Sequence, residues 1–279
     1  MSSLFVVKFN GEKEPFSIKK VYRSARRVGA SEKLAKKIAR IIEKEAYPGI
    51  KTSEIFKRVK KLLQQEVPRA ALRFNLKKGM KKLGPTGFPF EQYIGAVFSE
   101  NGFKIKLNKY IPGFCCKKYE IDFLAEKNNF LYIGECKYRH LPRHKVHTDT
   151  ALANYARFLD IKKKYSFRKD IKLKSLLITN AKFTTRAIKY SECVGVELLG
   201  WNYPRNKGLE YLIDSQKLYP ITILPSLPRF LAKIFASKKM MLAQDILKID
   251  IKEFARKTKI SKKRLEILVK EAKSLLERE

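Results

Sequence analysis

The sequence predicts a multidomain protein with an N-terminal α+β domain, a central three-layer α/β domain and a mainly α-helical C-terminal region. Its 279 residues, 44% of them hydrophobic, are enough for two or three domains that each have a core. Strand and helix patterns alternate through the middle of the chain, whereas the last part is mainly helical. The segment KKLGPTGFPF, with two glycines and two prolines, marks a domain boundary between the first helices and the central strands.

The N-terminal domain is predicted to begin with two short strands and to continue with helices. Residues Leu4 to Phe9 have a strand pattern, and NGEKEPFS predicts a turn and a second short strand. Helical periodicity runs from Ile18 to Glu45 and from Thr52 to Lys82, and YPGI separates the two helical stretches. Thr52 or Ser53 is the expected N-cap of the second stretch, because a hydroxyl can accept a bond from the first free amides.

The central domain is predicted to alternate helices and strands. A helix from Phe90 to Ser99 precedes the strand FKIKL and the hairpin YEIDFLAEKNNFLYIGECKYR. A helix from Arg143 to Lys164, the strand KLKSLLIT, the helix TTRAIKYSE and the strand VGVELL follow. Past GWNYPRNKG the chain becomes mainly helical. The expected domains are residues 1–83, 84–202 and 203–279.

The charge of the chain predicts a polyanionic partner. Lys and Arg number 62 against 27 Asp and Glu, and the net charge of +35 is spread along the whole sequence. A membrane partner is not expected, because no run approaches about 18 uninterrupted apolar residues and no signal-peptide pattern is present. We therefore expect a cytoplasmic protein that binds nucleic acid. The four cysteines form no C-x-x-C pair, so they are expected to be reduced, mostly buried thiols.

The central hairpin places ionisable residues at suggestive positions. A two-residue turn at Asn128 and Asn129, a pair that tolerates the left-handed conformation, sets Asp122 opposite Glu135. Tyr119, Ile121, Phe123 and their neighbours two apart then share an apolar face, while Asp122, Leu124, Ile133, Glu135 and Lys137 share the other. Opposed carboxylates repel each other unless something positive lies between them.

A divalent cation would relieve this repulsion. Two carboxylates and a backbone carbonyl suit Mg²⁺, and Lys137 could orient or deprotonate an attacking water beside them. The alternative is a half-exposed hairpin with a solvated charged face, on which Glu120 and Lys137 form a weak surface ion pair.

Together with FEQYIGAVFSENGF, the hairpin resembles the PD-(D/E)xK nuclease superfamily and its Mrr-like restriction endonuclease branch, over about residues 86 to 200. The resemblance implies a restriction-endonuclease-like fold, metal ligation by Asp122, Glu135 and the Cys136 carbonyl, catalysis aided by Lys137, and an auxiliary role for Glu91. LLITNAKFTTRAIKYSECVGVELLGW is similar to the strand, helix and strand that close this fold. CCKKYEID departs from the family, which usually has a small or apolar residue and a glycine before the aspartate.

All three histidines follow the hairpin, in RHLPRHKVH. His144 and His147 would share a helix face if a helix begins near Arg143. A phosphate contact by His144, a second set of metal ligands and solvated loop histidines are the three alternatives.

VVKFNGEKEPFSIKKVYRSARRVGA, with KTSEIFKRVKKLL, resembles the ATP-cone, a nucleotide-binding regulatory module, over residues 4 to about 83. The resemblance implies nucleotide contacts by Val7, Lys8, Lys20 and Thr52, and lysines and a helix-start hydroxyl are suitable phosphate partners. Phe9 stands where the family usually has arginine. The alternative is therefore a scaffold that has lost ATP binding.

DILKIDIKEFARKTKISKKRLEILVKEAKSLL resembles a helix-hairpin-helix element, which presents backbone amides to DNA phosphates. Ser261 is the expected N-cap, and Lys262, Lys263 and Arg264 in the first helical turn are the expected DNA contacts. Their charge opposes the helix dipole unless a phosphate is bound there. Lys259 replaces the hairpin glycine of the family, so the alternative is a degenerate module used for packing or for forming a homodimer.

These patterns predict a Mg²⁺- or Mn²⁺-dependent DNA endonuclease whose N-terminal domain senses ATP or a related nucleotide. The alternative of a different class is a non-catalytic, nucleotide-responsive DNA-binding regulator that keeps the nuclease fold as a scaffold. An RNA-directed enzyme is a third alternative, because the charge fits any polyanion.

Overall fold

The computed structural model describes residues 4–84, 88–140, 144–167 and 170–277, apart from the side chain of Phe88. The chain forms two compact units. One contains the chain up to Lys77 and the segment from Lys270, and the other runs from Lys78 to Val269. The predicted multidomain α/β organisation is confirmed, whereas the predicted limits of the three domains stay predictions. Part of the predicted joint, residues 85–87, lies outside the described residues.

The first unit combines a three-stranded sheet with helices. The strands lie in the order β2-β1-β3, with β1 antiparallel to β2 and parallel to β3. The strands are β1 (Phe5–Val7), β2 (Lys13–Pro15) and β3 (Ile50–Lys51). The helices are α1 (Ile18–Arg27), α2 (Glu32–Glu45), α3 (Thr52–Glu66), α4 (Pro68–Phe74) and α5 (Leu76–Lys82), of which α5 continues into the second unit.

Local sequence explains where these helices begin and end. The Ser17 and Ser31 hydroxyls accept bonds from the amides of the first turns of α1 and α2. Gly29, at φ 100°, separates the two helices because it adopts a conformation that side chains disfavour. Pro68 starts α4, where its missing amide is not needed. The predicted N-cap at Thr52 or Ser53 is wrong, because α3 starts at Thr52 after Lys51 and no side chain caps it.

The second unit is built on a five-stranded mixed sheet in the order β10-β8-β6-β5-β4. Strands β4, β5 and β6 form an antiparallel meander, and β6, β8 and β10 are parallel. A separate parallel pair joins β7 and β9. The strands are β4 (Lys104–Ile111), β5 (Tyr119–Lys127), β6 (Phe130–Lys137), β7 (Lys145–Val146), β8 (Lys172–Thr179), β9 (Lys182–Phe183) and β10 (Val196–Leu199).

Helices cover both faces of this sheet. On one face, Phe98 of α6 (Phe88–Glu100) packs against Phe123 of β5, with ring centroids 5.5 Å apart. On the other, Phe158 and Ile161 of α7 (Thr148–Lys164) pack with Ile133 of β6. Helix α8 (Thr185–Val194) lies on the α7 side and packs against β8 and β10. The result is a three-layer arrangement of helices, sheet and helices.

The helix predicted from Arg143 begins later. Arg143 itself lies outside the described residues, but Lys145–Val146 is strand β7 and α7 begins at Thr148. The idea that His144 and His147 share a helix face is therefore wrong, since both precede the helix. The cysteines are also more exposed than predicted: Cys136 is buried, whereas Cys115 and Cys193 are exposed.

The chain beyond β10 is mainly helical, as predicted. Tyr93 of α6 donates a buried hydrogen bond to the carbonyl of Leu218 at 2.8 Å, which fastens this region to the sheet domain. The helices are α9 (Leu209–Gln216), α10 (Arg229–Ser237), α11 (Ile251–Thr258) and α12 (Lys262–Leu276), with 3₁₀ turns at Ile221–Ile223 and Ala243–Lys248. Within the described ranges, no helix has both the length and the apolar content to cross a membrane.

Candidate active site

The β5–β6 hairpin has the predicted register. Phe123 pairs with Gly134 and Lys127 with Phe130, so the numbers of paired residues sum to 257. The turn lies at Asn128 and Asn129, and Asn128 has a φ of 53°. Asparagine tolerates this left-handed conformation better than most residues, which explains why the turn falls here.

The regular alternation of side chains breaks at Asp122. Ile121 packs in the cluster under α7, whereas Phe123 packs against α6 on the opposite face. The ladder between β4 and β5 is interrupted at Asn108 and Asp122, and Asn108 has a φ of 49°. The prediction that Ile121 and Phe123 share one face is therefore wrong. The irregularity lies at the residue predicted to bind metal.

Asp122 is fixed by the neighbouring strand. The Cys136 amide donates a 2.6 Å hydrogen bond to Asp122 Oδ2. Backbone pairing between β5 and β6 ends at Phe123 and Gly134. Beyond that point, the bond between the Asp122 side chain and the Cys136 amide joins the two strands. It places the Asp122 carboxylate beside the segment that contains Glu135, whereas the predicted direct pairing of Asp122 with Glu135 stays a prediction.

Glu135 is buried, with 6% of its side chain exposed, and two cations neutralise it. Arg157 Nη1 of α7 lies 2.6 Å from Glu135 Oε2, and Lys137 Nζ forms an ion pair with Glu135 Oε1. A carboxylate this buried needs such partners, because its desolvation is costly. The alternative of a solvated hairpin face with a Glu120–Lys137 pair is wrong, since helices cover both faces and Lys137 pairs with Glu135.

Glu91 of α6 joins this cluster through electrostatic interactions. Burial, with repulsion from Asp122 and Glu135, raises the pKa of Glu91 to about 7. Burial and repulsion from Glu135 likewise raise the pKa of Asp122 to about 6, against the opposing effect of the Cys136 amide. All four predicted catalytic residues, which come from α6, β5 and β6, therefore interact electrostatically with one another.

The chemistry of these side chains fits a hard divalent cation. Asp122 and Glu135 offer carboxylate oxygens, and their repulsion is the conflict that a cation relieves. Burial raises the pKa of the Cys136 thiol well above its usual range, so the thiol stays protonated and its backbone carbonyl is the suitable donor. Within the described part of the chain, however, no three or more His, Cys, Asp or Glu side chains are placed together as a metal site.

Arg157 is a site residue that the sequence interpretation missed. Its Nη1 also donates a 3.3 Å bond to the Glu120 carbonyl, so it links α7 to both strands of the hairpin. Asn154, one turn earlier, donates a buried 2.9 Å bond to Ser175 of β8. Asn154, Arg157 and Asp160 recur every three residues on a helix that covers a sheet, and this polar stripe was the available signal.

A basic pocket lies at the end of β6. It is lined by Arg139, His144, Lys145 and His147. The Asn180 side chain holds the Arg139 backbone with two hydrogen bonds, of 2.7 and 2.9 Å. The pocket brings His144 and His147 together with cations, although not on a helix. The predicted phosphate contact of His144 stays a prediction.

The first unit contains a cavity at the predicted nucleotide site. Lys20 of α1 and Thr52 of α3 line it, together with Glu14 and Phe56. Lys8 Nζ lies 2.7 Å and Lys20 Nζ 3.2 Å from Glu14, so both predicted phosphate partners share one carboxylate. Val7 pairs with Lys51 in the sheet next to this cavity, and Phe9 is 91% exposed.

Two helices joined by a short turn lie where the helix-hairpin-helix element is predicted, and the module itself stays a prediction. Helix α11 ends at Thr258 and α12 begins at Lys262, and Lys259 between them has a φ of 58°. The Ser261 carbonyl accepts a bond from the Leu265 amide, so Ser261 occupies the predicted N-cap position. Lys262, Lys263 and Arg264 are exposed in the first turn. Their predicted contacts with DNA stay a prediction.

Two family models match the chain. The ATP cone domain matches residues 4–77, and the AF1548-like C-terminal family matches residues 219–276. The ATP-cone resemblance is thereby confirmed, and this domain supports nucleotide binding. The Mrr-like resemblance gains no support from these models.

Known proteins also resemble this chain. An uncharacterized protein of Archaeoglobus fulgidus is 42% identical over 130 residues, which are 46% of this chain and 69% of that protein. The crystal structure of AF1548, a protein of unknown function, matches 68% of this chain and 98% of its own at 30% identity, with a TM-score of 0.59. The structure of Can2 from Sulfobacillus thermosulfidooxidans in complex with cyclic tetra-adenylate matches at 18% identity and a TM-score of 0.34, too weak for any argument. The chain belongs to the AF1548-like proteins and carries an ATP-cone domain at its N-terminal end.

Proposed function

We propose that this protein is a Mg²⁺- or Mn²⁺-dependent DNA endonuclease of the PD-(D/E)xK type, in its Mrr-like branch, acting in the cytoplasm. The observation that carries the proposal is the convergence of Glu91, Asp122, Glu135 and Lys137 from three elements. Their order along the chain and their positions on a helix and a hairpin agree with the family pattern. The net charge of +35 supports a nucleic-acid substrate.

Each residue has a separate role in this proposal. Asp122, Glu135 and the Cys136 carbonyl would hold the cation, which supplies positive charge that stabilises the transition state of phosphodiester hydrolysis. Lys137, whose side chain is 36% exposed, would orient an incoming water toward the phosphorus. Thr179 donates a 2.6 Å bond to the Lys137 carbonyl, which fixes the backbone behind that lysine.

The experiment that tests this proposal is a cleavage assay on supercoiled and linear DNA, with Mg²⁺, with Mn²⁺ and with EDTA. We expect cation-dependent cleavage that Asp122→Ala, Glu135→Ala and Lys137→Ala each reduce by at least about 100-fold. Glu100→Ala, at the exposed end of α6, is the matched control and should cleave normally. Equal cleavage by wild type and all three site variants would rule out this site. Faster cleavage of RNA of the same sequence would mean that RNA, and not DNA, is the substrate.

A second candidate is a non-catalytic, nucleotide-responsive DNA-binding regulator. The ion pairs of Glu135 with Arg157 and Lys137 favour it, because they already neutralise the carboxylate without a metal. Calorimetric titration with Mn²⁺ separates the two candidates. Binding that Asp122→Ala abolishes supports the nuclease, whereas DNA binding without Mn²⁺ binding or cleavage supports the regulator.

We also propose that ATP or a related nucleotide binds in the cavity of the first unit and regulates the protein. Glu14 would compete with the phosphates for Lys8 and Lys20. Calorimetry with the full chain should therefore show about 10-fold weaker ATP binding for Lys20→Gln and tighter binding for Glu14→Gln. Glu43→Gln, exposed on α2, is the control. Unchanged affinity in both cavity variants would exclude this site.

A further inference from the structure

The loop that precedes the metal-site strand is an exposed aromatic and basic surface. We call residues 112–118, between β4 and β5, the β4–β5 loop. Phe114 in this loop is 58% exposed, and Lys163 Nζ of α7 lies 3.9 Å from its ring centroid. Tyr110, just before the loop, is 57% exposed, and Lys118 Nζ lies 4.0 Å from its ring centroid. Two accessible rings are thus each paired with a lysine ammonium.

Asp160 of α7 holds this loop in one conformation. Its carboxylate accepts hydrogen bonds from the Cys115 amide at 2.8 Å and the Cys116 amide at 3.1 Å. The Phe114 amide donates to the Asp160 carbonyl at 3.1 Å, and a Cβ on Gly113 would lie 2.1 Å from Asp160 Oδ2. The backbone under Phe114 is therefore fixed, so its exposed ring loses little freedom when it binds a partner.

The loop is close to the candidate active site. Asp160 lies one helical turn after Arg157, which contacts Glu135 directly. The loop also leads into β5, on which Asp122 follows the last loop residue by four positions, about 13 Å along an extended strand. One helix therefore holds both Glu135 and the loop.

The charge around the loop points to a polyanion. Residues 101–119 contain five lysines and no Asp or Glu. Lys162, Lys163 and Lys164 add three more cations at the end of α7. These cations outnumber the nearby carboxylates of Asp160 and Glu120 and suit phosphates. The accessible rings among them suit nucleic-acid bases, because every base has a face that stacks on an aromatic ring.

We infer that the β4–β5 loop binds an unpaired stretch of DNA beside the active site, with a base stacked on Phe114 and phosphates bound by Lys117, Lys118 and Lys163. The substrate class is therefore DNA that contains single-stranded or splayed nucleotides. This inference rests on the proposed function for its choice of DNA. The binding itself requires neither metal nor cleavage.

The test is binding of the full chain to a single-stranded oligonucleotide with one 2-aminopurine, measured by anisotropy and fluorescence in EDTA. Stacking on Phe114 should quench the 2-aminopurine. Phe114→Ala should weaken binding by about 5- to 100-fold and remove the quenching, whereas Phe114→Tyr should retain both. Phe230→Ala, which removes a ring that is 62% exposed on α10, is the matched control and should bind like wild type.

A second measurement tests the phosphate contacts through the salt dependence of binding. The double variant Lys117→Gln/Lys118→Gln should reduce the slope of log affinity against log salt by about 1.4, since each phosphate contact on a single strand contributes about 0.7. Lys33→Gln, an exposed lysine on α2, should leave the slope unchanged. Asp160→Asn, which weakens the anchor of the loop, should reduce the quenching of the 2-aminopurine, because Phe114 is then held less firmly, while thermal unfolding shows an intact fold.

The outcomes separate this inference from the nuclease proposal. Weaker binding by Phe114→Ala with no cleavage by wild type would support the surface and count against the nuclease. Wild-type cleavage together with unchanged binding and quenching in Phe114→Ala would overturn the surface and leave the nuclease standing. Tighter binding of fully paired DNA or of matched RNA than of single-stranded DNA would also overturn the inference.

Discussion

Glu91 shows how a single buried acid links stability to pH. Its pKa is raised from an ordinary value of 4.5 to about 7, so the folded protein binds this proton more tightly than the unfolded chain does. The stability that this proton confers is complete below about pH 4.5 and is lost as the pH rises through about 7. Above pH 7, a charged Glu91 near Asp122 and Glu135 destabilises the fold.

Glu91→Gln should therefore have a pH-dependent effect. We expect little change in the free energy of unfolding at pH 5 and stabilisation on the order of 1–3 kcal/mol at pH 8, measured by urea denaturation without divalent cations. Glu100→Gln, at the exposed end of the same helix, controls for the loss of one negative charge. An equal effect of Glu91→Gln at both pH values would contradict this account of the cluster.

Glu135 is the opposite case, because this buried carboxylate is charged and needs the nearby cation of Arg157. Arg157→Met leaves Glu135 with Lys137 alone, and we expect a loss on the order of 1–3 kcal/mol at pH 7.5. Arg157→Met in the Glu135→Gln background should cost much less, because no buried charge is then left without its partner. Urea denaturation of the four proteins in this cycle gives the coupling energy. Additive effects would show that Arg157 acts through packing alone.

At the scale of elements, the hairpin depends on a glycine that the strand pattern does not explain. A Cβ on Gly134 would lie 2.1 Å from the Phe123 ring, directly across the hairpin. Gly134→Ala should therefore destabilise the protein by about 2–3 kcal/mol, and Phe123→Leu in the same variant should recover part of this loss.

Gly195→Ala is the matched control for that prediction. Gly195 has a φ of 77° and nothing within 4 Å of an added Cβ, so its substitution costs only the left-handed conformation, about 1 kcal/mol. Thermal or urea unfolding compares the two variants directly. Equal stability of Gly134→Ala and Gly195→Ala would mean that the sheet adjusts to the side chain.

The same hairpin shows what the sequence can and cannot predict. The Asn128 turn and the alternation of apolar residues are local signals, and they were sufficient for the register from Phe123 to Phe130. The break in side-chain alternation at Asp122 accompanies a left-handed Asn108 on the neighbouring strand β4, and no local sequence pattern predicts it. Strands β3 and β7 have two residues each, too few for a period. Arg157 reaches Glu135 across 22 positions, so its role depends on packing that only the fold reveals.

At the scale of the whole molecule, the excess of cations has two opposite consequences. With 62 Lys and Arg against 27 Asp and Glu, most cations have no acid to pair with, even though surface pairs such as Lys36 with Glu32 exist. Self-repulsion then destabilises the compact state, and salt screens it. The same cations bind DNA phosphates and thereby release the counterions of the DNA. Added salt weakens this binding, because it makes the release of counterions less favourable.

Salt should therefore stabilise the free protein and weaken its complex with DNA. Between about 50 and 200 mM NaCl we expect the thermal unfolding temperature to rise, while the affinity for DNA falls by about 10³-fold or more. Glu135→Ala in EDTA serves for the binding measurement, because cleavage cannot then interfere. Replacing NaCl with an uncharged osmolyte at equal osmolality should leave the affinity unchanged. An unfolding temperature that falls as NaCl is added would mean that surface ion pairs stabilise the protein more than charge repulsion destabilises it. An affinity for DNA that does not change with NaCl would argue against phosphate contacts as the basis of binding.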